Sequence, residues 1–125
     1  MFSEDDIIHT YTRAQAIEDG LLADVTKTAG EAGLRFPVAL TRTVWCQYVE
    51  VPDGVEGQDE AGRLWDILWM LVAAIRGSKD AGDTLHFQLY VRNDNRRPKL
   101  VTLKAVCGPN DDASPCITVM LPEED

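Results

Sequence analysis

The side chains of this sequence with the greatest intrinsic reactivity are its three cysteines and two histidines, Cys46, Cys107, Cys116, His9 and His86. Nucleophilic catalysis by a cysteine requires a thiolate that a neighbouring base activates. Neither histidine shares a motif with a cysteine, and Cys46 lies in an apolar stretch that predicts burial. We therefore interpret the thiols as small hydrophobic residues and predict that the protein has no catalytic residues and is not an enzyme.

Metal or cofactor binding is the second chemistry that these residues could support. Cys107, Cys116 and His86 do not follow a zinc-ligand spacing, and the sequence contains no Cys-x-x-Cys motif. It also lacks a Walker loop and a Gly-x-Gly-x-x-Gly loop, either of which would cradle a phosphate. We predict no metal, no cofactor, and reduced thiols typical of a cytoplasmic protein.

Paired carboxylates occur at residues 18–19, 59–60 and 111–112. General acid–base chemistry needs such pairs in a cleft, where the environment separates their pKa values. All three pairs fall at predicted helix ends or turns, where a solvated carboxylate that caps a helix is the more common explanation. Asn110 and the pair that follows it lack the remaining ligands of a calcium loop.

The charge of the chain is strongly negative and unevenly distributed. The formal net charge is −9, and residues 1–66 carry 13 acidic and 5 basic residues, a net charge of −8. Such a balance repels nucleic acids and anionic membranes and favours a basic partner, although it also keeps a small protein soluble. The basic turn at 92–99 could contact phosphates, but it could equally be a solvated edge that prevents aggregation, or a surface for self-association with the acidic helices.

The first third of the chain predicts short elements. Ser3 can cap a helix in the N-terminal segment, and Thr12 can cap a second helix over 13–18. The stretch 21–25 is compatible with an edge strand. Thr26 can cap a further helix that extends to Ala32 and that Gly33 would end.

A longer helix is predicted over 37–49, with Pro37 at its first position. Apolar residues recur there with a period near 3.6, and the turn at 52–54 would end the helix. The three tryptophans fall on this helix and the next one, and we interpret them as core residues rather than as a ligand platform: Trp45, Trp65 and Trp69.

The next helix is predicted over 60–76 with Asp59 as its cap. Its second half is apolar on all sides, which predicts that the helix is covered on most faces at the centre of the core. We expect Leu68, Leu71 and Ile75 to be buried.

The C-terminal part of the chain changes to a period of two. Alternating apolar residues predict strands over 85–92, 100–107 and 116–121, with short turns between them. Helices followed by strands indicate an α+β fold in which N-terminal helices pack on a C-terminal three-stranded antiparallel β-meander. A chain of 125 residues predicts a single domain, residues 1–125.

The sequence also predicts a cytoplasmic location without membrane attachment. The residues after Met1 are acidic, whereas the start of a signal peptide is basic. The longest apolar run, 67–75, is far shorter than the roughly 20 residues that cross a bilayer.

Four segments resemble a family of small uncharacterised proteins. They are 1–20 (MFSEDDIIHTYTRAQAIEDG), 36–41 (FPVALT), 62–70 (GRLWDILWM) and 117–125 (ITVMLPEED). The resemblance implies carriage on bacterial mobile elements, namely plasmids, phages and integrative elements. Small accessory proteins of such elements are often inhibitors of host defence, including CRISPR and restriction enzymes, so the resemblance associates the chain with that role.

These observations predict a non-enzymatic accessory protein that docks an acidic helical surface onto a basic protein, such as a nucleic-acid-binding defence protein. The expected contact residues are acidic apart from one tyrosine: Glu4, Asp5, Asp6, Tyr11, Glu18, Asp19, Asp59 and Glu60. Phe2, Ile8 and Tyr11 are candidates for an apolar anchor among them. Two alternatives remain open. One is a small enzyme or ligand-binding domain around His9, Tyr11 and Arg13, and the other is a plain dimerisation module.

Overall fold

The computed structural model describes residues 11–79 and 82–125. The described chain is a mixed α+β structure whose strands form one sheet in the order β1-β2-β5-β4-β3. Its elements follow in chain order: helix α1 (Arg13–Glu18), β1 (Leu22–Asp24), α2 (Thr26–Ala32), β2 (Val38–Thr41), α3 (Arg42–Val44) with a π-helical turn (Trp45–Val49), α4 (Glu60–Gly77), β3 (Thr84–Val91), β4 (Lys99–Pro109) and β5 (Pro115–Met120).

The prediction of a three-stranded meander is wrong in the number of strands, although its three strands are present. Strands β3, β4 and β5 pair antiparallel, as expected. Strand β5 also pairs with β2, in parallel, with Val38 opposite Ile117 and Leu40 opposite Val119. Strand β1 then pairs antiparallel with β2, so the sheet has five strands and one parallel pair.

Residues 38–41 explain the error, because they were expected to be helical and instead form β2. Val38, Ala39 and Leu40 are all fully buried, so this short strand carries apolar side chains on both faces. Such a run mimics the apolar side of a helix when it is joined to the helical residues that follow. The helical part begins only after Thr41, whose hydroxyl accepts a hydrogen bond from the backbone N–H of Val44 at 3.3 Å.

Several local predictions are confirmed at residue level. Thr12 forms a capping box with Gln15 at the start of α1. Gly33 ends α2 in the left-handed conformation, with φ at 108°. Asp59 caps α4, since its Oδ1 accepts a hydrogen bond from the Gly62 N–H at 2.6 Å. Thr26, however, is the first residue of α2 rather than its cap, and its hydroxyl instead bonds to Asp24.

Helix α4 packs on β3 and α2, and its buried side chains contribute to the main core. Leu68 and Leu71 are fully buried, as expected, but Ile75 is 39% exposed. Trp69 and Met70 are also exposed, so the prediction that α4 is covered on most faces is wrong. An all-apolar helix can lie at the rim of a sheet, where one of its sides has no covering layer.

Helix α1 packs on the opposite face of the sheet from α4. The Arg13 guanidinium bonds to Thr118 Oγ1 at 2.7 Å and to the carbonyl of Ile117 at 2.8 Å. Side chains alternate between the two faces of the sheet along a strand. Ile117 and Val119, which flank Thr118 in the chain, belong to the core beneath α4. Thr118 therefore faces the other side, which α1 covers beside β1 and β2.

Candidate protein-interaction surface

The acidic residues predicted to bind a partner do not form one surface in the described structure. Glu18 and Asp19 are exposed at the end of α1, whereas Asp59 and Glu60 are exposed at the start of α4. These two helices cover opposite faces of the sheet, so the two pairs cannot contact the same small partner surface. Glu4, Asp5 and Asp6 lie outside the described residues, as do the predicted helix at Ser3 and the candidate anchors Phe2 and Ile8.

Tyr11 and Arg13 each form hydrogen bonds that connect α1 to other parts of the described structure. The Tyr11 hydroxyl donates a hydrogen bond to Asp19 Oδ2 at 2.6 Å, and this bond raises the pKa of the exposed phenol. The Arg13 side chain is engaged with β5, and its backbone N–H donates to Asp111 Oδ1 at 2.8 Å. Both residues therefore tie α1 in place, and His9 lies outside the described residues.

The cysteines behave differently from one another. Cys116 is buried and Cys107 is half-buried, as small hydrophobic residues would be. Cys46 is exposed, so its predicted burial is wrong; it lies on the outer side of the π-helical turn, 3.9 Å from Glu50 Oε1. Within residues 11–79 and 82–125, no group of three His, Cys, Asp or Glu side chains could hold a metal ion.

The basic turn between β3 and β4 is anchored to the rest of the protein rather than projecting freely. Arg63 of α4 is buried, and its guanidinium donates to the carbonyls of Val49 and Arg92 and to the side chains of Gln58 and Asn93, over 2.6–3.1 Å. All four partners are neutral, and burial lowers the pKa of Arg63 from its usual value. This arginine fixes the C-terminal end of β3 to α4.

Arg92 extends the same network toward the loop that precedes α4. Its guanidinium donates to the carbonyl of Glu56, and Asn95 Oδ1 accepts a hydrogen bond from the Glu56 N–H at 3.0 Å. Asn95 Nδ2 also bonds to the Gly54 carbonyl at 2.8 Å. Sequence reasoning did not identify this network, because its partners are far apart in the chain.

A cluster of exposed apolar side chains lies on the other side of α4, and we call it the edge cluster. It consists of Trp69, Met70, Tyr90 and Leu100, of which Trp69, Tyr90 and Leu100 are 51%, 68% and 52% exposed. With Asp66 they line a shallow groove of about 270 Å³ between α4 and β3. An aromatic stack with Trp65 holds Trp69, with ring centroids 5.9 Å apart and planes inclined by 20°.

The edge cluster borders a strand that has no neighbour on one side among residues 11–79 and 82–125. Strand β3 is the last strand of the sheet, and it runs for eight residues without a charged residue, proline or glycine. Edge strands usually carry such features, because unpaired backbone groups would otherwise recruit another strand. The combination of an uncovered strand and exposed large apolar side chains is typical of an interaction site.

A second concavity, of about 220 Å³, lies at the other end of β3. Phe36, Ile75, Asp83 and Cys107 are among the residues that line it. It is smaller than the roughly 300–1,000 Å³ of most ligand pockets. Among the helices of the described residues, none combines the length and apolar character needed to traverse a bilayer.

A family model described as a family of unknown function (DUF6573) matches residues 1–125, so the chain belongs to that family. No curated protein and no solved structure matches the chain.

Proposed function

We propose that this member of a family of unknown function is a non-enzymatic protein-binding protein that uses the edge cluster as its apolar anchor. The supporting observation is that four large apolar side chains are exposed together beside an uncovered strand edge. Soluble monomers rarely expose several large apolar side chains around one groove without a partner for them. Aromatic residues and methionine are also the side chains most enriched at protein interfaces.

The anchor differs from the one expected from the sequence. Phe2 and Ile8 lie outside the described residues, and the Tyr11 hydroxyl is bonded to Asp19 on the far side of the sheet. Trp69 and Met70 are the proposed apolar anchors instead, because they are exposed on α4 next to Asp66. A buried aromatic anchor provides most of the binding free energy of many interfaces.

Carboxylates on α4 favour a basic partner at this surface. Asp59, Glu60 and Asp66 are exposed on the N-terminal half of the helix that carries Trp69. Charges at the rim of an interface accelerate association more than they strengthen the final complex. Glu18 and Asp19 of α1 would contribute only through long-range attraction.

The narrower proposal is that the partner is a basic, nucleic-acid-binding defence protein of a bacterial host, such as a CRISPR or restriction component. It rests on the resemblance to mobile-element proteins and on the net charge of −9, which disfavours direct binding to nucleic acid. In this proposal the protein acts in the cytoplasm and inhibits the host defence protein, to the benefit of the mobile element that carries it.

A capture experiment tests the protein-binding proposal. The immobilised wild-type protein, a Trp69→Ala variant and a Leu21→Ala variant are incubated with lysate from the source organism, and bound proteins are identified by mass spectrometry. Leu21 is the matched control, because it is a large exposed apolar residue beside β1. We expect one basic protein to bind wild type and the control equally, and to bind Trp69→Ala about 30-fold more weakly, which corresponds to about 2 kcal/mol.

Two results would count against the proposal. Equal capture by wild type and Trp69→Ala would remove the edge cluster from any interface. A shift of DNA on a gel at physiological salt by the wild-type protein would contradict the expected avoidance of nucleic acid. Replacing Glu60 and Asp66 by Lys, which leaves the Asp59 cap of α4 intact, should slow association with the captured protein and reduce its dependence on salt.

A further inference from the structure

We propose that the partner adds an extended segment to the open edge of β3, as a further strand of the sheet, and places an arginine of that segment against Trp69 and Asp66. The segment belongs to the basic partner of the proposed function, on which this inference rests. Three features of the described residues support it, namely the direction of the backbone groups of β3, the position of α4 beside that strand, and the carboxylate next to the exposed indole.

A row of backbone groups on β3 faces away from its neighbour β4. The Cys107 N–H donates to the Asp83 carbonyl at 2.7 Å, so these residues form a hydrogen-bonded pair of the antiparallel ladder. Hydrogen-bonded pairs alternate along such a ladder. Leu85, Phe87 and Leu89 therefore direct their backbone groups toward β4, and the intervening residues direct theirs outward: Thr84, His86, Gln88 and Tyr90.

These outward groups suit a peptide in the extended conformation. Each outward residue offers one N–H and one carbonyl, and the next such residue follows two positions along the strand. A segment that adds to this edge gains main-chain hydrogen bonds, and its alternate side chains provide specificity. Strand β3 itself contains no Asp, Glu, Lys, Arg, Pro or Gly that would interrupt the pairing.

Helix α4 forms one wall of the groove beside this edge. The groove is lined by side chains of the helix and by the C-terminal half of β3: Asp66, Trp69, Met70, Gln88, Leu89, Tyr90 and Leu100. Leu89 is buried in the core on the face that α4 covers. Residues directly opposite each other in a β-ladder have their side chains on the same face. A partner residue opposite Leu89 therefore directs its side chain against the exposed flank of α4.

Three side chains of that flank define the residue that fits there. Asp66, Trp69 and Met70 occupy positions i, i+3 and i+4 of α4, so they are neighbours on one side of the helix. All three are exposed. Trp65, which packs against the core, stacks on one face of the Trp69 ring and leaves the other face for a ligand.

Arginine is the side chain that matches this combination. Its planar guanidinium stacks on an aromatic ring and can bind a carboxylate through two parallel hydrogen bonds. Lysine supplies the charge without the planar contacts. A neutral apolar residue would cover Trp69 but would remove water from the Asp66 carboxylate without replacing its hydrogen bonds. The net charge of −9 also favours a cationic segment.

A peptide with blocked ends, Thr-Val-Thr-Arg-Thr-Val-Thr, tests the inference on the full chain. The arginine and the valines lie on one face of this peptide when it is extended. We expect it to bind and to slow amide hydrogen exchange at His86 and Gln88, whose N–H groups face outward, but not at Phe87. The same peptide with citrulline, the neutral isostere of arginine, should bind about 10-fold more weakly, as expected for the loss of a charged hydrogen bond.

A pair of protein variants assigns that difference to Asp66. Asp66→Asn should weaken binding of the arginine peptide by about 10-fold and leave binding of the citrulline peptide unchanged. Glu31→Gln is the matched control, because it removes the same charge at an exposed position of α2 outside the groove. It should change the binding of neither peptide.

Two methylated forms of the arginine peptide test the backbone pairing. N-methylation of the two inner threonines and N-methylation of the two valines remove donors from opposite edges of the extended peptide. One form should lose binding, because its methyl groups face β3, and the other should bind like the parent peptide. Methylated threonines block an antiparallel segment, and methylated valines block a parallel one.

Other results overturn the inference. No binding at millimolar peptide, equal binding of the two methylated forms, or equal binding of the citrulline peptide would each exclude it. Slow exchange at His86 and Gln88 in the free protein would show that the edge is already occupied. The occupant is a second copy if this protection rises with protein concentration, and residues 1–10 if their removal abolishes it.

The proposed function is tested separately by the capture experiment. A basic protein that is captured through Trp69 but leaves exchange at His86 and Gln88 unchanged would keep the proposed function and overturn the strand addition. Binding of the arginine peptide at this edge, without capture of any basic protein, would contradict the proposed function alone.

Discussion

The two edges of the sheet have opposite properties although they belong to one small fold. At β1 the edge strand is three residues long, and α1 packs against it. Asp24 ends this strand and accepts hydrogen bonds from the N–H and hydroxyl of Thr26. At β3 the edge strand is eight residues long and uncharged, and the exposed Trp69 lies beside it. Within the described residues, β1 has the features that protect an edge strand from pairing with another chain, and β3 lacks them.

The largest loss of stability should come from the core between α4 and β3, because this packing keeps the edge strand β3 rigid. Leu68→Ala removes a fully buried side chain of α4 and should lower the free energy of unfolding by about 2–5 kcal/mol through the cavity it leaves. Met70→Ala is the control, since Met70 is an exposed neighbour on the same helix. Denaturant titration of both variants measures the difference, and similar losses for both would contradict the assignment of Leu68 to the core and Met70 to the surface.

The attachment of β3 at its C-terminal end should have the next largest effect. Arg63→Met keeps the apolar stem of the side chain but removes the Arg63 donor from the Val49 carbonyl, whereas the Arg92 carbonyl keeps the hydrogen bond that the Gln58 side chain donates at 2.7 Å. The loss should cost about 1–3 kcal/mol if the Val49 carbonyl remains buried. We expect faster amide hydrogen exchange at Val91 and in the turn that follows. Arg42→Met is the control, because Arg42 is exposed. Unchanged exchange in β3 would show that Arg63 does not fix this edge.

Loosening α1, the helix that covers the β1 edge, should have the smallest effect on stability. Asp111 accepts hydrogen bonds from the N–H groups of Arg13 and Ala14 and so holds the start of α1. Asp111→Ala should cost about 1 kcal/mol, as the loss of a helix cap does, and should increase amide exchange in α1 without altering β3. Glu123→Ala, at an exposed position with no role in α1, is the control. If β3 loosened together with α1, the two edges would not be independent.

Sequence reasoning succeeded where a structural signal is contained within a few residues. The cap at Asp59, the stop at Gly33 and the alternation along β3 are all local, and each lies where it was predicted. The assignment of 38–41 failed, because its strand pairs with Val38 opposite Ile117, a partner far along the chain that no local pattern reveals. The same limit applies to the buried network of Arg63.

The sequence predicted only some of the residues of the candidate site. Asp59 and Glu60 were named as contacts, and they lie on the helix of the proposed surface. Trp69 was assigned to the core, because a helix that is apolar on all sides does not reveal which side is left uncovered. Glu18 and Asp19 were grouped with the α4 acids by charge alone, and the sheet separates them.

By itself the sequence determined the net charge, the helix caps and the alternation of the C-terminal strands, because these depend on composition or on interactions between residues a few positions apart. The tertiary structure alone decided that β2 lies between β1 and β5, that α1 and α4 cover opposite faces, and that β3 ends the sheet beside an exposed Trp69. Whether an edge or an apolar side chain is covered depends on which distant segments pair and pack, and that arrangement minimises the free energy of the whole chain rather than of any one segment.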